Sequence, residues 1–161
     1  MITDADRAAL ALEAQQIVAD NKYLTLSTAD AHGLPWVSPV YFTPDADGRY
    51  LWVSSPTTRH SRNLEVRREV AIVIFDSTVP IGEGHAVYVS AVASRVPDSE
   101  LRLQAGVFNS RLHELAGATV DGLVAPGPLR LYRAVAQETS VLLRGGDPRN
   151  SDGIDTRVVV G

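Results

Sequence analysis

The chain has 161 residues, a formal net charge of −4 and no cysteine. That length suits a single domain, 1–161, with a core that needs no cross-links, and the missing cysteines exclude disulfides and thiolate metal sites. Apolar residues make up 45% and charged residues 21%; the net acidity excludes bulk attraction to nucleic acid or to an anionic membrane, so any anion site has to be a local cluster.

No apolar run is long enough to cross a bilayer. The start, Met-Ile-Thr-Asp-Ala-Asp, has no basic segment followed by an apolar one, so no signal peptide is expected and a cytoplasmic location is. Thr3 followed by Asp6 is a variant of the capping box, and Leu10, Ile17 and Val18 recur at roughly helical spacing, which predicts a helix from about Asp4 to Ala19. Tyr23 to Thr28 alternates and is rich in strand formers. Ala29 to Gly33 reads as a turn. Pro35 to Phe42 reads as a second strand whose two prolines argue for an edge position or an irregularity.

Asp45-Ala46-Asp47-Gly48 is a hairpin turn, since Asp-Gly supplies positive φ, and it leads into a third strand from Arg49 to Ser54. Leu64 to Arg68 reads as helical. Glu69 to Phe75 is a fourth strand, nearly all apolar and expected to be buried on both faces. Ala86 to Ala93 is a fifth. Asp98 or Ser99 is expected to cap a second long helix whose apolar set is Leu101, Leu103, Val107, Leu112 and Leu115, with Gly117 as its stop. Leu129 to Ala136 and Ser140 to Leu143 read as strands, Arg144 to Asp155 as a mobile loop, and Arg157 to Val160 as a short returning strand. Short connections favour antiparallel pairing, and the sum is a mainly β, α+β chain: a small antiparallel β-barrel with helices across its openings.

The chemistry concentrates in residues 54–63, Ser-Ser-Pro-Thr-Thr-Arg-His-Ser-Arg-Asn. Hydroxyls donate to a phosphate, arginine adds a two-pronged charged donor, and a helix start adds free backbone N–H groups. Ser54 and Ser55 stand at a strand exit, Thr57 and Thr58 in the turn, and Arg59, His60 and Ser61 at the helix start. A phosphate beside His60 would favour its cationic form. The same residues also read as ordinary helix caps with solvated arginines. The four histidines, His32, His60, His85 and His113, form no close ligand pair, and no metal site is expected. Asp30 and Asp76 read as turn or strand-end residues, and His85 as a surface turn histidine. Trp36, Trp52, Tyr41 and Tyr88 read as core or interface residues, with stacking on a planar ring as the other use.

Residues 23–96 resemble the flavin-binding split-barrel family typified by pyridoxamine 5′-phosphate oxidase. Leu24 to Thr28 followed by Gly33 to Val40 is similar to its first hairpin, and Leu51 to Ser55 with Thr58 to Leu64 to its phosphate-binding strand and turn. Glu69 to Asp76 and Ala86 to Ser90 resemble the next two strands. The resemblance implies an antiparallel split β-barrel homodimer with FMN in a groove at the subunit interface. The phosphate would lie on Ser54, Ser55, Thr58, Arg59 and His60, and the ring along Val37, Ser38, Pro39 and Val40.

The family usually has lysine where this chain has His60. The C-terminal arginine–histidine pair that grips pyridoxal in the typifying oxidase is missing, because no histidine follows His113, and the segment Glu83-Gly84-His85 lacks that enzyme's glutamine. Pyridoxamine phosphate is therefore not the expected substrate. The first functional reading is an FMN-dependent oxidoreductase acting on another small molecule. The second keeps the fold and replaces FMN with the deazaflavin coenzyme, whose acidic tail would suit Arg62, Arg67 and Arg68. The third is a non-catalytic flavin-binding or interaction protein.

Overall fold

A computed structural model describes residues 2–112 and 116–161. Helix α1 runs Asp4–Asp20, and the capping box forms as expected: the Thr3 hydroxyl accepts from the Asp6 N–H, and the Asp6 carboxylate accepts from the Thr3 N–H. Only Leu10 and Ala14 of α1 are fully buried, with Ile17 and Val18 packed beside them, so the helix lies across one end of the barrel on a narrow stripe.

Strands β1 (Tyr23–Ala29) and β2 (Pro35–Tyr41) pair as a hairpin through a turn at Gly33, φ +84°. The order across the sheet is β2-β1-β5-β6-β7-β4-β3, antiparallel throughout, with β8 (Thr156–Val159) added to β7. β2 is an edge strand, as its prolines require. The Asp45–Gly48 turn is present, but it joins β4 (Arg49–Ser54) to a two-residue β3 (Thr43–Pro44) rather than to β2. The chain bends at Phe42, whose fully buried side chain and N–H bond to the Lys22 carbonyl take it off β2.

Strand β5 (Glu69–Phe75) is buried on one face only: Val70, Ile72 and Ile74 point into the barrel, while Ala71 and Phe75 are exposed. Its outer residues Ala71, Val73 and Phe75 are apolar without being buried, which misled the reading of burial on both faces. A strand that is buried on both faces is β4. Tyr50 and Trp52 enter the main core with Leu24, Leu26 and Ile72. Leu51 enters a second core with Val96, Leu101, Phe108, Leu123 and Leu131.

That second core is where the expected long helix fails. Asp98–Glu100 forms one 3-10 turn without a side-chain cap, α3 spans only Leu101–Asn109, and Leu103 is exposed. Asn109 closes a local loop instead, with its Oδ1 accepting from the Ala118 N–H and its Nδ2 donating to the Ala118 carbonyl. Leu115 and His113 lie outside the described residues. A short α4 (Val120–Leu123) precedes β7 (Arg130–Leu143), a single 14-residue strand where two were expected; its pairing with β6 (Ala86–Arg95) shifts register at Ser90/Ala91, a bulge that bends it.

The loop expected to be mobile is anchored: the Asn150 amide donates to the carbonyls of Leu143, Arg144 and Ile154, and Arg149 bridges Asp147 and Glu13 of α1. No helix among the described residues is long and apolar enough to cross a membrane.

Candidate functional site

Helix α2 (Arg59–Val66) follows β4 directly and buries an unusual face. Its buried residues are His60, Ser61, Asn63 and Leu64, the first three of them polar or ionisable. Each of these polar groups has a partner, as burial demands. Thr58 caps the helix, its Oγ1 accepting from the Ser61 N–H and donating to Ser61 Oγ at 2.8 Å. Asn63 Nδ2 donates to Thr28 Oγ1 on β1 at 3.0 Å.

His60 is 8% exposed and bridges the two sides of the split. Its Nδ1 lies 3.1 Å from Ser38 Oγ on β2, and its Nε2 lies 2.8 Å from Ser54 Oγ at the end of β4. Ser38 also accepts from the Trp36 indole N–H at 3.0 Å, and Ser54 lies 3.2 Å from Thr58 Oγ1. One ordering uses every proton once: Trp36 donates to Ser38, Ser38 to Nδ1, Nε2–H to Ser54, and Ser54 to Thr58. That ordering needs a neutral imidazole. Burial favours it, holding the His60 pKa below its ordinary value. A bound phosphate would have to outweigh this burial to bring His60 into the cationic form expected beside it.

Around this relay lie the groups that remain available to an anion. The N–H groups of Arg59 and His60 at the α2 N-terminus have no acceptor among the described residues. Ser55 and Thr57 bond each other at 2.8 Å near the surface. Arg59 is half-buried, its guanidinium carbon 4.5 Å from the centre of the Trp36 ring, and it forms no ion pair among the described residues. Arginine over tryptophan is a favourable cation–π pair that leaves the edge N–H donors uncommitted.

The structure thus brings together Ser38, Ser54, Ser55, Thr58, Arg59 and His60. Along β2, Val37 and Pro39 are exposed, whereas Val40 is buried in the main core. Among the described residues β2 pairs only with β1, so its other edge carries backbone groups with no strand partner there. Arg67 and Arg68 follow the C-terminus of α2, a helix about 12 Å long, and do not join the N-terminal cluster; Arg62 is exposed one turn in. Trp52 is fully buried, stacked 5.7 Å from Tyr132, and Trp36 is 40% exposed beneath Arg59. Asp30 and Asp76 are turn residues that accept local N–H bonds, from His32 and Leu34 and from Thr78. His32 and His85 are exposed.

Sequence reading missed Thr28 and Asn63. The signal was available: Leu24, Leu26 and Thr28 share one face of β1, so a polar Thr28 at the inward end calls for a partner.

Residues 10–141 match the family described as pyridoxamine 5′-phosphate oxidase. The chain belongs to this family. Among its relatives is the heme oxygenase HutZ of Vibrio cholerae, 31% identical over 137 residues that cover 83% of this chain and 75% of HutZ. The crystal structure of HutZ, there described as a heme storage protein, superposes with a TM-score of 0.65 over 84% of this chain and 95% of that one. A heme-binding protein from Mycobacterium smegmatis has a TM-score of 0.68 at 20% identity, covering 94% of this chain and 58% of its own, so this chain spans well under two thirds of that protein. An FAD-binding protein from Mesorhizobium loti has a TM-score of 0.65 at 20% identity, covering 81% and 92%. These last two similarities concern the fold. The family's antiparallel split barrel with flanking helices is the architecture found here.

Proposed function

We propose that this chain binds FMN and acts as a flavin-dependent oxidoreductase on a small substrate. The observation that carries the reading is the set of uncommitted donors gathered at the exit of β4: the Arg59 guanidinium and the N–H groups of Arg59 and His60, with the Ser55 and Thr57 hydroxyls beside them. The donor set fits a phosphate: short, convergent and locally cationic in an otherwise acidic chain. Bound FMN supplies the electron-transfer chemistry itself, and the protein supplies binding and orientation. Arg59 would neutralise phosphate charge, the α2 N-terminus would donate to its oxygens, and the His60 relay would hold β2 and β4 at a fixed separation. In one subunit the donors lie open to solvent, so we also propose the homodimer, in which a second copy closes the groove over the exposed Trp36 and Val37.

The identity to HutZ favours a second reading, heme binding. His60 is poorly placed for it, since both ring nitrogens are engaged by serine hydroxyls. A histidine ligand to iron among the described residues would come from the exposed His32 or His85, and the exposed Tyr23 offers a phenolate instead.

The test is parallel titration of the purified protein with FMN, the deazaflavin coenzyme and hemin, in wild type and Arg59→Ala. Saturable FMN binding weakened by the substitution supports the first reading. Binding of the deazaflavin alone transfers the site to that coenzyme. A Soret shift from hemin, retained in Arg59→Ala and lost on His32→Ala or His85→Ala, with no flavin binding, replaces the flavin reading with heme.

A further inference from the structure

A cleft of about 570 Å³ opens between α1, the β3–β4 turn and the end of the barrel. It lies at the opposite end of β4 from Ser54, roughly 13 Å along the strand, and none of the proposed flavin-site residues line it. Its walls are mostly small side chains, Ala11, Ala14 and Ala19 on the helix and Ala46 and Gly48 on the turn, so the helix and the hairpin face each other without filling the space.

On the floor stands Tyr50, 6% exposed, its ring 5.9 Å from that of Phe42. The Tyr50 phenol makes no hydrogen bond among the described residues, and burial alone raises its pKa. The hydroxyl oxygen is not sealed in the core, unlike the Trp52 Nε1 on the same strand, and Tyr50 lines this cleft, where a ligand or water can meet it.

We infer that the cleft is a second small-molecule site, and that its ligand is a neutral, flat, largely apolar molecule carrying a hydrogen-bond acceptor such as a ketone for the Tyr50 phenol. The volume falls in the range of small-molecule sites, about 300–1,000 Å³. The lining sets the charge. No lysine, arginine or histidine among the described residues faces the cleft, so an anion finds no partner there. The two carboxylates at its mouth, Asp45 and Asp47, are both paired with Arg49, and Asp45 also accepts from the N–H groups of Asp47 and Arg49, so a cation finds them occupied. The phenol is left, with the Gln15 amide and the Thr139 hydroxyl on the walls, among the uncharged polar groups that a ligand would address.

The neutral solvatochromic ketone Prodan is the probe. Titrated into the intact protein, it is expected to bind saturably with blue-shifted emission, in the presence or absence of FMN and equally in Arg59→Ala. Tyr50→Phe keeps the ring and removes the donor, and is expected to weaken binding about five-fold. Ala46→Trp, at an exposed turn position, is expected to abolish it by filling the mouth; Gln15→Trp does the same from the helix wall, and circular dichroism checks that both variants fold. No saturable binding, or binding that survives both tryptophan variants, overturns the site. Loss on occlusion with no response to Tyr50→Phe overturns the acceptor class. Because FMN enters only as a bystander, failure here leaves the flavin reading untouched, and failure of the flavin titration leaves this one untouched.

Discussion

At the Ser54 end of β4, the buried His60 has both ring nitrogens hydrogen-bonded, to Ser38 and to Ser54. At the Tyr50 end of the same strand, an equally buried phenol has no partner among the described residues. Both ends open to solvent through an adjoining turn or helix, yet one is a finished polar network and the other an open valence. The difference separates two meanings of a buried polar group. A partnered one organises the backbone around it, and one whose polar atom still reaches a cleft can meet whatever enters there.

The largest effect expected tests what the two ends share. Trp52, between them on β4, is fully buried and stacked on Tyr132. Trp52→Ala should destabilise the fold by about 3–5 kcal/mol in urea titrations and weaken ligands at both ends together. A variant that lost one site and kept the other would mean that the ends are not coupled through this strand.

Arg59→Ala should act at one end only. It should weaken FMN about 10- to 100-fold, the worth of a charge-assisted contact, while leaving the urea midpoint in place. His60→Ala should cost about 1–3 kcal/mol of stability, because it strands the Ser38 and Ser54 hydroxyls. Little loss there would mean that the relay does not hold β2 to β4.

The pH dependence has a definite sign. His60 is held below its ordinary 6.5 by burial, so the unfolded chain takes up the proton first as pH falls. The stability tied to neutral His60 is whole above that value and declines as pH drops through the folded-state pKa. The carboxylates with lowered pKa, Asp6, Asp30, Asp76 and Asp147, start from an ordinary 3.8 and act in a more acidic window. Urea midpoints at about pH 7.5 and about pH 5, compared between wild type and His60→Gln, should show a fall in wild type that the variant reduces.

The smallest effect belongs to the other end. Tyr50→Phe should leave stability unchanged within about 0.5 kcal/mol, since no hydrogen bond is lost. A loss comparable to that of His60→Ala would show that the phenol is satisfied after all and erase the contrast.

Much of the fold was legible because its signals are local. Thr3 and Asp6 cap α1 within one turn, and alternation over Tyr23 to Thr28 marks β1 whatever it pairs with. Asp47-Gly48 makes the turn before β4, because positive φ is a property of the residue itself. The grouping of Ser54, Ser55, Thr58, Arg59 and His60 was equally local, being ten residues of contiguous chain. The long second helix was misread because Leu103 and Leu112 fit a helical period, while an Asn109 amide bonded to Ala118 belongs to a loop that periodicity does not see. The double burial of β5 was misread because an apolar outer face looks the same in sequence whether or not anything covers it.

By itself, then, the amino-acid sequence determined the strands, the turn glycines, the cap of α1 and the cluster of donors, since each rests on neighbours within a few positions. Only the tertiary structure decided that β4 rather than β5 is buried on both faces, that His60 spans from β2 to β4, that Arg59 rests on Trp36, and that Tyr50 is left unpartnered beneath α1. Those facts depend on which distant segments the closing sheet brings within 3–6 Å of each other, and no local preference of the chain encodes that proximity.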